Sequence, residues 1–452
     1  MRKRSFASIP SYSYLWRGIF KELLTYLWSF KTLNNHIMKY LFLIFLYLLS
    51  SCTHQKSTDN TIPVLNIGEK DYPTRKINIH DIADVEYIPL ESLDNTLVGA
   101  SLKYFSEKYI VTSDGVSGGN IYFFDHSGKL LWKFNRRGPG PGDFSYLYLC
   151  IVDFEQEECY VHDANKHEIF IYSFEGDYKR SIPMGGFIGV EVGKATIEDY
   201  VLFTNILHYD ADFLLGYSPT QLQISRGLTD KSSYYLISKK DGSRYPLDLK
   251  VKNGITDYIY NGKDEKIGYL NHSPLLQNGN ECWITELSSD TIYSLVDRNM
   301  VPVAVQHPSI HSTTPPFVIF PIGFTDYFLV FNVVSLFTDE NDPWRPYDES
   351  KTLVWNRSTN NLEHWEIYNP DISQSKSIAY TPIMYCNGWT MKNCGSASYG
   401  PGVLIDKYKK GELKGRLKEI AANLREDDND VIVLVKYKEG VDWSNLAEYR
   451  ED

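Results

Sequence analysis

The sequence predicts an all-β fold: a six-bladed β-propeller of four-stranded antiparallel blades with one short helix near the C-terminus. Three observations predict it. Aromatic residues make up 14% of the chain, with 34 Tyr; one hairpin pattern recurs five times; and a lone strand precedes the first copy. Tyr, Phe, Val and Ile favour the pleated surfaces of sheets over helices. With 452 residues, the chain is long enough for one large all-β domain.

The recurring pattern is a β-rich run, a turn with Asp, Ser, Gly or Asn, and a second β-rich run. Its copies lie at 121–134, 169–182, 234–247, 291–303 and 353–365. A hairpin that recurs at intervals of 48 to 65 residues is typical of propeller blades with loop insertions. A further strand is expected before each copy, at 108–112, 158–163, 199–203, 280–284 and 326–331.

A sixth unit is predicted within 375–437, where one stretch is helical rather than extended. Leu413, Leu417, Ile420 and Leu424 follow one another at intervals of four, three and four residues. This spacing places them on one face of a helix, which accounts for the short helix in the predicted fold.

The run 85–90 is a lone β-strand before the first repeat, and 431–435 is an apolar run typical of a buried strand. A ring of blades has to close, and pairing these two runs removes two exposed sheet edges. We therefore expect them in one sheet, within a propeller domain that covers 77–440. Residues 52–76 are then a tether and lead-in, and residues 441–452 a C-terminal tail.

The N-terminal region predicts export and a lipid anchor. An apolar run at 40–49 is shorter than the about 20 residues that span a bilayer, but it has the length of a signal-peptide core. The sequence Leu-Ser-Ser-Cys at 49–52 resembles a bacterial lipobox. It implies a signal peptide at 38–51 and a lipidated Cys52 that ties the protein to the membrane. Residues 1–37 are either a misassigned start or an extension that lies on the membrane surface.

Charge and cysteine spacing exclude several classes of protein. A formal charge of −11 argues against a general nucleic-acid binder, which needs a basic surface. The sequence has no CxxC, so the common structural zinc sites have no support. Cys150 and Cys159 flank a predicted hairpin in which residue 150 pairs with 159 across a loop at 153–156. That register permits a disulfide, and two buried free thiols are the alternative.

Together these motifs resemble the six-bladed β-propeller lipoproteins of Bacteroidetes, a family similar to NHL-type propellers. The similar segments are 87–91, 123–130, 137–144, 289–293 and 430–434. The resemblance implies the fold and an outer-membrane location but no activity, because propellers host unrelated functions. In such lipoproteins an acidic tract after the lipidated Cys promotes export to the cell surface. Residues 53–59 contain a single acid, so the periplasmic face is expected.

Alternating Gly and Pro at 138–142 form a turn that lacks the Lys-Ser/Thr ending and the helix of a phosphate-binding loop. We expect a tight crossing between blades there, since Pro fixes φ and Gly permits positive φ. The neighbouring Arg136 and Arg137 are candidates for an anion-binding fork aimed at the central channel.

The most polar and aromatic loop, at 337–349, is the main candidate for ligand binding. Trp344 and Tyr347 offer ring faces for sugar C–H groups, and Arg345 offers a charged partner for hydroxyls. Packing of Trp344 on a neighbouring blade is the plainer alternative. A calcium site is a further alternative, built from the carboxylates of Asp339, Asp342 and Asp348.

No motif predicts catalysis, a metal or a cofactor. The histidines, including His162 and His208, form no HExxH and are expected to be solvated or satisfied, and no catalytic nucleophile elbow is expected. We therefore expect a monomeric, lipid-anchored protein that binds a glycan, peptide or partner protein or acts as a scaffold. The alternatives are a hydrolase or lyase with its site at the channel mouth, and a structural envelope subunit. Three or more His, Asp or Glu residues meeting at that mouth would favour the enzyme.

Overall fold

The structure, a computed structural model, describes residues 61–92, 102–184, 203–218, 232–249, 255, 258–260, 266–269, 273–313, 316–335, 351–372 and 391–450. From Ile62 onward the chain forms one unit, a six-bladed β-propeller, which confirms the predicted fold class. The predicted signal peptide, Cys52 and the segment 1–37 lie outside the described residues. Within the described ranges, no helix is long and apolar enough to cross a membrane.

Three strands and a short helix come before the first blade: β1 (Val64–Asn66), β2 (Thr74–Asn78), α1 (Ile79–Ile82) and β3 (Ala83–Pro89). Blade 1 contains β4 (Leu102–Phe105), β5 (Ile110–Ser113), the short helix α2 (Gly115–Gly118), β6 (Asn120–Phe124) and β7 (Leu130–Asn135). Blade 2 contains β8 (Leu149–Asp153), β9 (Glu158–Asp163), β10 (Glu168–Ser173) and β11 (Tyr178–Pro183). Blade 3 contains β12 (Asn205–His208), β13 (Phe213–Tyr217), β14 (Tyr234–Ser238) and β15 (Arg244–Pro246).

A two-stranded sheet separates blades 3 and 4 in sequence: β16 (Tyr258–Tyr260) and β17 (Lys266–Tyr269). Blade 4 contains β18 (Leu275–Asn278), β19 (Glu281–Thr285), β20 (Thr291–Val296) and β21 (Asn299–His307), and the 3₁₀ helix Ile310–Ser312 follows it. Blade 5 contains β22 (Phe317–Phe324), β23 (Phe328–Ser335), β24 (Lys351–Asn356) and β25 (Asn361–Tyr368). The described strands of blade 6 are β26 (Cys394–Tyr399), β27 (Val431–Tyr437) and β3, with helices α3 (Pro401–Lys409) and α4 (Gly415–Ala421) between the first two.

The strands of a blade are called a to d from the channel outward, and the five predicted hairpins are the outer pairs, c and d, of blades 1 to 5. Asp and Asn side chains close several of their turns: Asp125 Oδ1 accepts the N–H of Ser127 at 2.8 Å, and Asn356 Oδ1 that of Ser358 at 3.0 Å. Four of the five strands predicted before them are strands b. All but the last residue of the strand predicted at 199–203 lie outside the described residues, and strand b of blade 3 is β13.

Ring closure is made by β3, which pairs antiparallel with β27 as strand d of blade 6, as predicted. Pro89 lies opposite Val431 in this register. The Leu90 N–H donates to the Asp430 carbonyl at 3.3 Å, so even-numbered residues of β3 occupy the hydrogen-bonded pairs. Pro89, which has no N–H, falls on an odd position and removes no bond from the ladder.

The predicted lead-in at 52–76 contains two strands that the sequence did not indicate. β1 adds to β21 and β2 adds to β25, both in parallel, as fifth strands on the outer edges of blades 4 and 5. Arg75 on β2 donates to Glu363 on β25 through two bonds, Nε to Oε2 at 2.9 Å and Nη2 to Oε1 at 3.1 Å. Since Glu363 is buried, this bidentate pair fixes where β2 docks.

Two short helices, α3 and α4, stand where the sequence predicted one. Leu413, Leu417 and Ile420 are buried, as the helical spacing indicated. Gly411 and Gly415 both have positive φ, which interrupts the helical conformation between α3 and α4. Of the two helices, only α4 overlaps the helical face predicted from Leu413 to Leu424.

The predicted C-terminal tail is part of the folded unit. Trp443 is buried and stacks on Tyr327 with ring centroids 4.6 Å apart. Its carbonyl accepts a hydrogen bond from Asn356 Nδ2 at 2.7 Å. The tail therefore covers one end of blade 5.

The core lies between the faces of neighbouring blades and is rich in aromatic rings. Phe123 of blade 1 and Phe174 of blade 2 have ring centroids 4.8 Å apart, and Trp132 Nε1 donates to the Phe174 carbonyl at 2.7 Å. Trp283 of blade 4 stacks on Phe324 of blade 5 at 3.9 Å. These contacts explain the high aromatic content, because large rings fill the wide gap between twisted sheets.

The Gly-Pro turn crosses from blade 1 to blade 2, as expected. Gly142 has a φ of +79°, and a Cβ there would lie 2.7 Å from the ring of Tyr178. The Gly140 N–H donates to Asp143 Oδ2 at 3.0 Å, and Tyr172 Oη donates to the Gly142 carbonyl at 2.8 Å. The turn therefore needs glycine for both conformation and space.

Ile88→Pro is expected to destabilise the protein far more than Ile88→Ala. Both changes remove a buried side chain, but only proline removes the N–H that the register assigns to the ladder with Ile432. We expect the alanine variant to lose about 2–5 kcal/mol. The proline variant should lose about 1–3 kcal/mol more, because it leaves a buried acceptor of the ladder without its hydrogen bond. Urea unfolding followed by circular dichroism measures both. Equal losses would mean that closure does not depend on the β3–β27 ladder.

Candidate functional site

The turns that join strands a and b gather at one end of the central channel. At this end, the a–b turns of blades 1 to 5 meet residues 391–393, which precede β26. We call these residues together the mouth: 106–109, 154–157, 209–212, 279–280, 325–327 and 391–393. Neighbouring turns bond to each other. For example, Gln156 Nε2 of blade 2 donates to the Ala211 carbonyl of blade 3 at 3.0 Å. The mouth is therefore a continuous rim of short, connected turns.

Asn393 joins three blades at the mouth. Its N–H donates to Asn278 Oδ1 of blade 4 at 2.6 Å, and its Oδ1 accepts the Asp326 N–H of blade 5 at 2.9 Å. Its φ of +54° lies in the left-handed region, which Asn tolerates better than most residues. Both Asn side chains are buried, so these bonds replace water and hold one half of the mouth rigidly.

A cavity of about 440 Å³ opens at the mouth and takes residues from blades 1, 2, 3, 4 and 6. A second cavity, of about 810 Å³, lies between blades 2, 3 and 4. Glu155, His208 and Asn280 line both cavities, and we call these three residues the shared wall. Each of them comes from a different blade, so the wall exists only where blades 2, 3 and 4 pack together.

His208 of the shared wall belongs to a buried triad with Asp153 and Lys239. Lys239 Nζ donates to Asp153 Oδ2 at 2.7 Å, to His208 Nδ1 at 3.1 Å and to the Asp210 carbonyl at 2.6 Å. The side chains of Asp153 and Lys239 are only 1% and 4% exposed. All three N–H groups of the ammonium are thus used inside the protein, at the interface of blades 2 and 3.

Lys239 also decides the chemical form of His208. An ammonium can only donate, so Nδ1 of His208 accepts and the ring proton lies on Nε2. Burial, with the Lys239 charge as a second cause, lowers the pKa of His208 to about 4. At neutral pH the mouth therefore presents an uncharged imidazole in one fixed tautomer.

Two cations near the mouth are held by carboxylates of the protein, whereas the exposed Lys108, which also lines the mouth cavity, lies over the Tyr109 ring with its Nζ 4.6 Å from the centroid. Lys392 Nζ lies 2.6 Å from Asp326 Oδ2. Arg298 Nη2 lies 3.5 Å from Asp210 and 3.4 Å from Asp212. These pairs reduce the positive charge offered to a ligand.

The mouth cavity is lined by one histidine and several carboxylates: His208, Glu107, Asp153, Glu155 and Glu157. This meets the criterion that the sequence analysis set for an enzyme. Of the set, Asp153 is paired with Lys239, whereas the three glutamates are exposed. The cavity has an acidic rim around a neutral histidine.

The main sequence-predicted ligand site, with Trp344, Arg345 and Tyr347, lies outside the described residues, as does the calcium site considered beside it. Among the residues that the structure does describe, no group of three or more His, Cys, Asp or Glu could hold a metal ion.

Arg136, one of the two candidates for the anion fork, bonds within the protein. Its Nε donates to the Gly176 carbonyl at 2.7 Å, and its Nη2 lies 3.7 Å from Asp177 on the turn between strands c and d of blade 2. The outermost strand of blade 1, β7, ends directly before Arg136. The guanidinium therefore contacts the outer part of blade 2 and is directed away from the channel. The N–H of the adjacent Arg137 donates to Asn135 Oδ1 at 2.9 Å, within the same crossing.

The possible disulfide is not formed, because the hairpin register differs from the predicted one. Cys150 lies opposite Val161 and Cys159 opposite Val152, with the turn at 154–157. The two cysteines are diagonal neighbours, and both are free and buried. Burial, followed by the effect of Cys150, raises the pKa of the Cys159 thiol well above its usual value. Two buried thiols, the stated alternative, are what the structure contains.

Sequence reasoning missed the triad. His208 was expected to be either solvated or hydrogen-bonded within the protein, and it does accept a hydrogen bond from Lys239. Its position in a cavity wall was not expected. Asp153 and Lys239 both lie next to hairpin turns, where charged residues are ordinary. No local signal marks them, because they come from different blades.

Comparisons with known proteins agree with the fold. A family described as a domain of unknown function, DUF4934, matches residues 62–436. A solved structure from Bacteroides fragilis NCTC 9343, named as an exported protein, has a TM-score of 0.54 and 14% identity, covering 81% of this chain and 99% of that one. A member of the DUF4221 family from Bacteroides vulgatus ATCC 8482 has a TM-score of 0.43 and 10% identity, covering 79% and 97%. No curated protein matches the chain.

Lys239→Met is expected to cost about 3–5 kcal/mol of stability, because the buried Asp153 carboxylate is left without its partner. Adding Asp153→Asn should restore part of the loss, since Asn removes the charge but still caps the turn through Oδ1. Lys240→Met is the matched control, as this neighbour is exposed and should change stability by less than about 0.5 kcal/mol. Urea unfolding measures the wild type, the single variants Lys239→Met, Asp153→Asn and Lys240→Met, and the double variant. Strictly additive losses in the double variant would contradict the coupling of the pair.

Proposed function

Since the chain belongs to the DUF4934 family, whose description assigns no activity, we propose from its geometry that it is a binding protein of the cell envelope. The ligand occupies the mouth of the propeller. The shared wall of the two cavities carries this proposal, because Glu155, His208 and Asn280 from three blades face one space. Polar groups that converge in a concave site are the usual basis of ligand recognition.

One residue of the wall, His208, is fixed before any ligand arrives. His208 is held by Lys239, and Asn393 ties blades 4, 5 and 6 together beside Asn280. A ligand that meets fixed groups loses less free energy to the ordering of side chains than one that must arrange them. The mouth is therefore suited to selective binding.

An enzyme at the same place is the second candidate, favoured by the carboxylates and the histidine that line one cavity. His208 is a weak base because its pKa is lowered to about 4, whereas a general base works best with a pKa near the operating pH. The Lys239 ammonium already donates to three acceptors, and Ser106 Oγ accepts the N–H of Tyr109 at 3.0 Å within its turn. These residues fit structural and binding roles better than catalysis.

The envelope location rests on the N-terminal sequence. The lipobox-like segment that ends at Cys52 supports lipidation, and the Bacteroides fragilis relative is named as an exported protein. The single acid at 53–59 favours the periplasmic face of the outer membrane. In this arrangement the propeller is a monomer that is tied to the membrane through Cys52 and meets its ligands in the periplasm.

Binding at the mouth is tested with a double variant, Glu155→Gln with Asn280→Ala, and the control Glu175→Gln, which changes an exposed glutamate on the outer part of blade 2. Thermal shift with neutral oligosaccharides, basic peptides and acidic peptides is the measurement. At least one set should raise the melting temperature of the wild type and the control but not of the double variant. Mass spectrometry should find the probes unchanged. A shift that survives in the double variant would move the site elsewhere, and cleaved probes would establish the enzyme.

Cys52→Ser is expected to move the protein from the membrane fraction to the soluble fraction. One acyl chain binds a membrane weakly and two or three bind it stably, so the loss of the acylated residue should release the protein almost completely. Fractionation and immunoblotting measure this, with Cys159→Ser as the control because that buried thiol lies within blade 2. A variant that stays with the membrane would assign the anchor to residues 1–37.

A further inference from the structure

The ring of His208 has two edges with different surroundings. The Nδ1 edge faces inward and accepts from Lys239, and the opposite edge carries the Nε2–H. The side chain keeps 12% of its surface exposed, and the residue lines both cavities. His208 therefore offers one oriented, uncharged donor at the shared wall.

We propose that His208 donates from Nε2 to an oxygen of a neutral, polyhydroxylated ligand, an uncharged oligosaccharide, at the shared wall. This rests on the proposed binding function and names its ligand class. Lys239 is a positioning residue that fixes the tautomer.

The shared wall combines donors and acceptors in the way that hydroxyl groups require. His208 donates, the Glu155 carboxylate accepts, and the Asn280 amide does both. A sugar hydroxyl both donates and accepts, so adjacent hydroxyls satisfy the histidine and the carboxylate together. Groups that only accept or only donate satisfy one of them and leave the other desolvated without a bond.

Charge at the wall separates the possible ligand classes. An acidic ligand is disfavoured, because Lys392 and Arg298 are already held by aspartates, and Lys108, which also lines the mouth cavity, is outnumbered by the exposed glutamates beside it. A basic group is disfavoured at His208 itself, since an N–H donor faces it and the Lys239 ammonium lies 3.1 Å behind the ring. A neutral oxygen acceptor fits the position at His208 best. A basic peptide is the alternative ligand, whose cationic groups could pair with the carboxylates of the rim but could not accept the hydrogen bond from His208.

The test uses the full-length protein with arrays of neutral oligosaccharides, acidic oligosaccharides and basic peptides, followed by titration calorimetry of the binders. His208→Gln keeps an amide donor near the Nε2 position, and His208→Leu removes the donor at similar volume. We expect neutral oligosaccharides to bind, with affinity nearly retained in the Gln variant. The Leu variant should lose about tenfold, the effect of one hydrogen bond to a ligand. Circular dichroism verifies that both variants are folded.

The role of Lys239 has its own readout. ¹⁵N chemical shifts of His208 should report the Nε2–H tautomer in the wild type and a mixture of tautomers in the folded Asp153→Asn, Lys239→Met double variant. An unchanged tautomer in that variant would overturn the positioning role.

The outcomes distinguish this ligand class from the binding function itself. If basic peptides bind at the mouth and oligosaccharides do not, the function stands and the ligand class is overturned. If oligosaccharides bind but His208→Leu binds them as well as the wild type, the role of His208 is overturned. If the Glu155, Asn280 double variant binds every probe as the wild type does, the function itself fails.

Discussion

The pairing of β3 with β27 is the constraint on which the rest of the structure depends, because propeller blades bury their faces only against one another. Ile88 on β3 packs with Phe105 of blade 1 and Leu434 of blade 6 in one buried cluster. Opening the pair would expose this cluster and two sheet edges. The mouth depends on closure too, since its cavity takes residues from five blades on both sides of the seam.

The parts of the fold that the sequence predicted are those with local signals. The outer hairpins have two apolar runs and a turn residue such as Asp125 within about 15 residues, so pattern and turn chemistry agree. The parallel strands β1 and β2 have no such signal: Val64 pairs with Val305 and Thr74 with His364, across most of the chain. A three-residue strand such as β1 is also too short for its alternation to be visible.

The candidate site was less predictable than the fold, for a physical reason. Its chemistry comes from turns of different blades, and each turn looks ordinary by itself. Asp153 caps its own turn through Oδ1 and reaches Lys239 through Oδ2, and only the first role leaves a pattern in sequence. Composition instead indicated the loop of Trp344, because a cluster of aromatic and charged residues can be recognised in the sequence without knowledge of the ring.

The buried pair of Lys239 and Asp153 fits a positioning role better than a stabilising one. Removing both charges from water carries a penalty of several kcal/mol per ion, and well-packed apolar side chains of similar size often stabilise a fold as well or better. Apolar side chains, however, cannot donate to His208 Nδ1 or to the Asp210 carbonyl. The charged pair therefore has a role that apolar side chains cannot fill, which is to keep His208 in one tautomer at the cavity wall. Since the triad spans blades 2 and 3, its geometry depends on how these two neighbouring blades pack together.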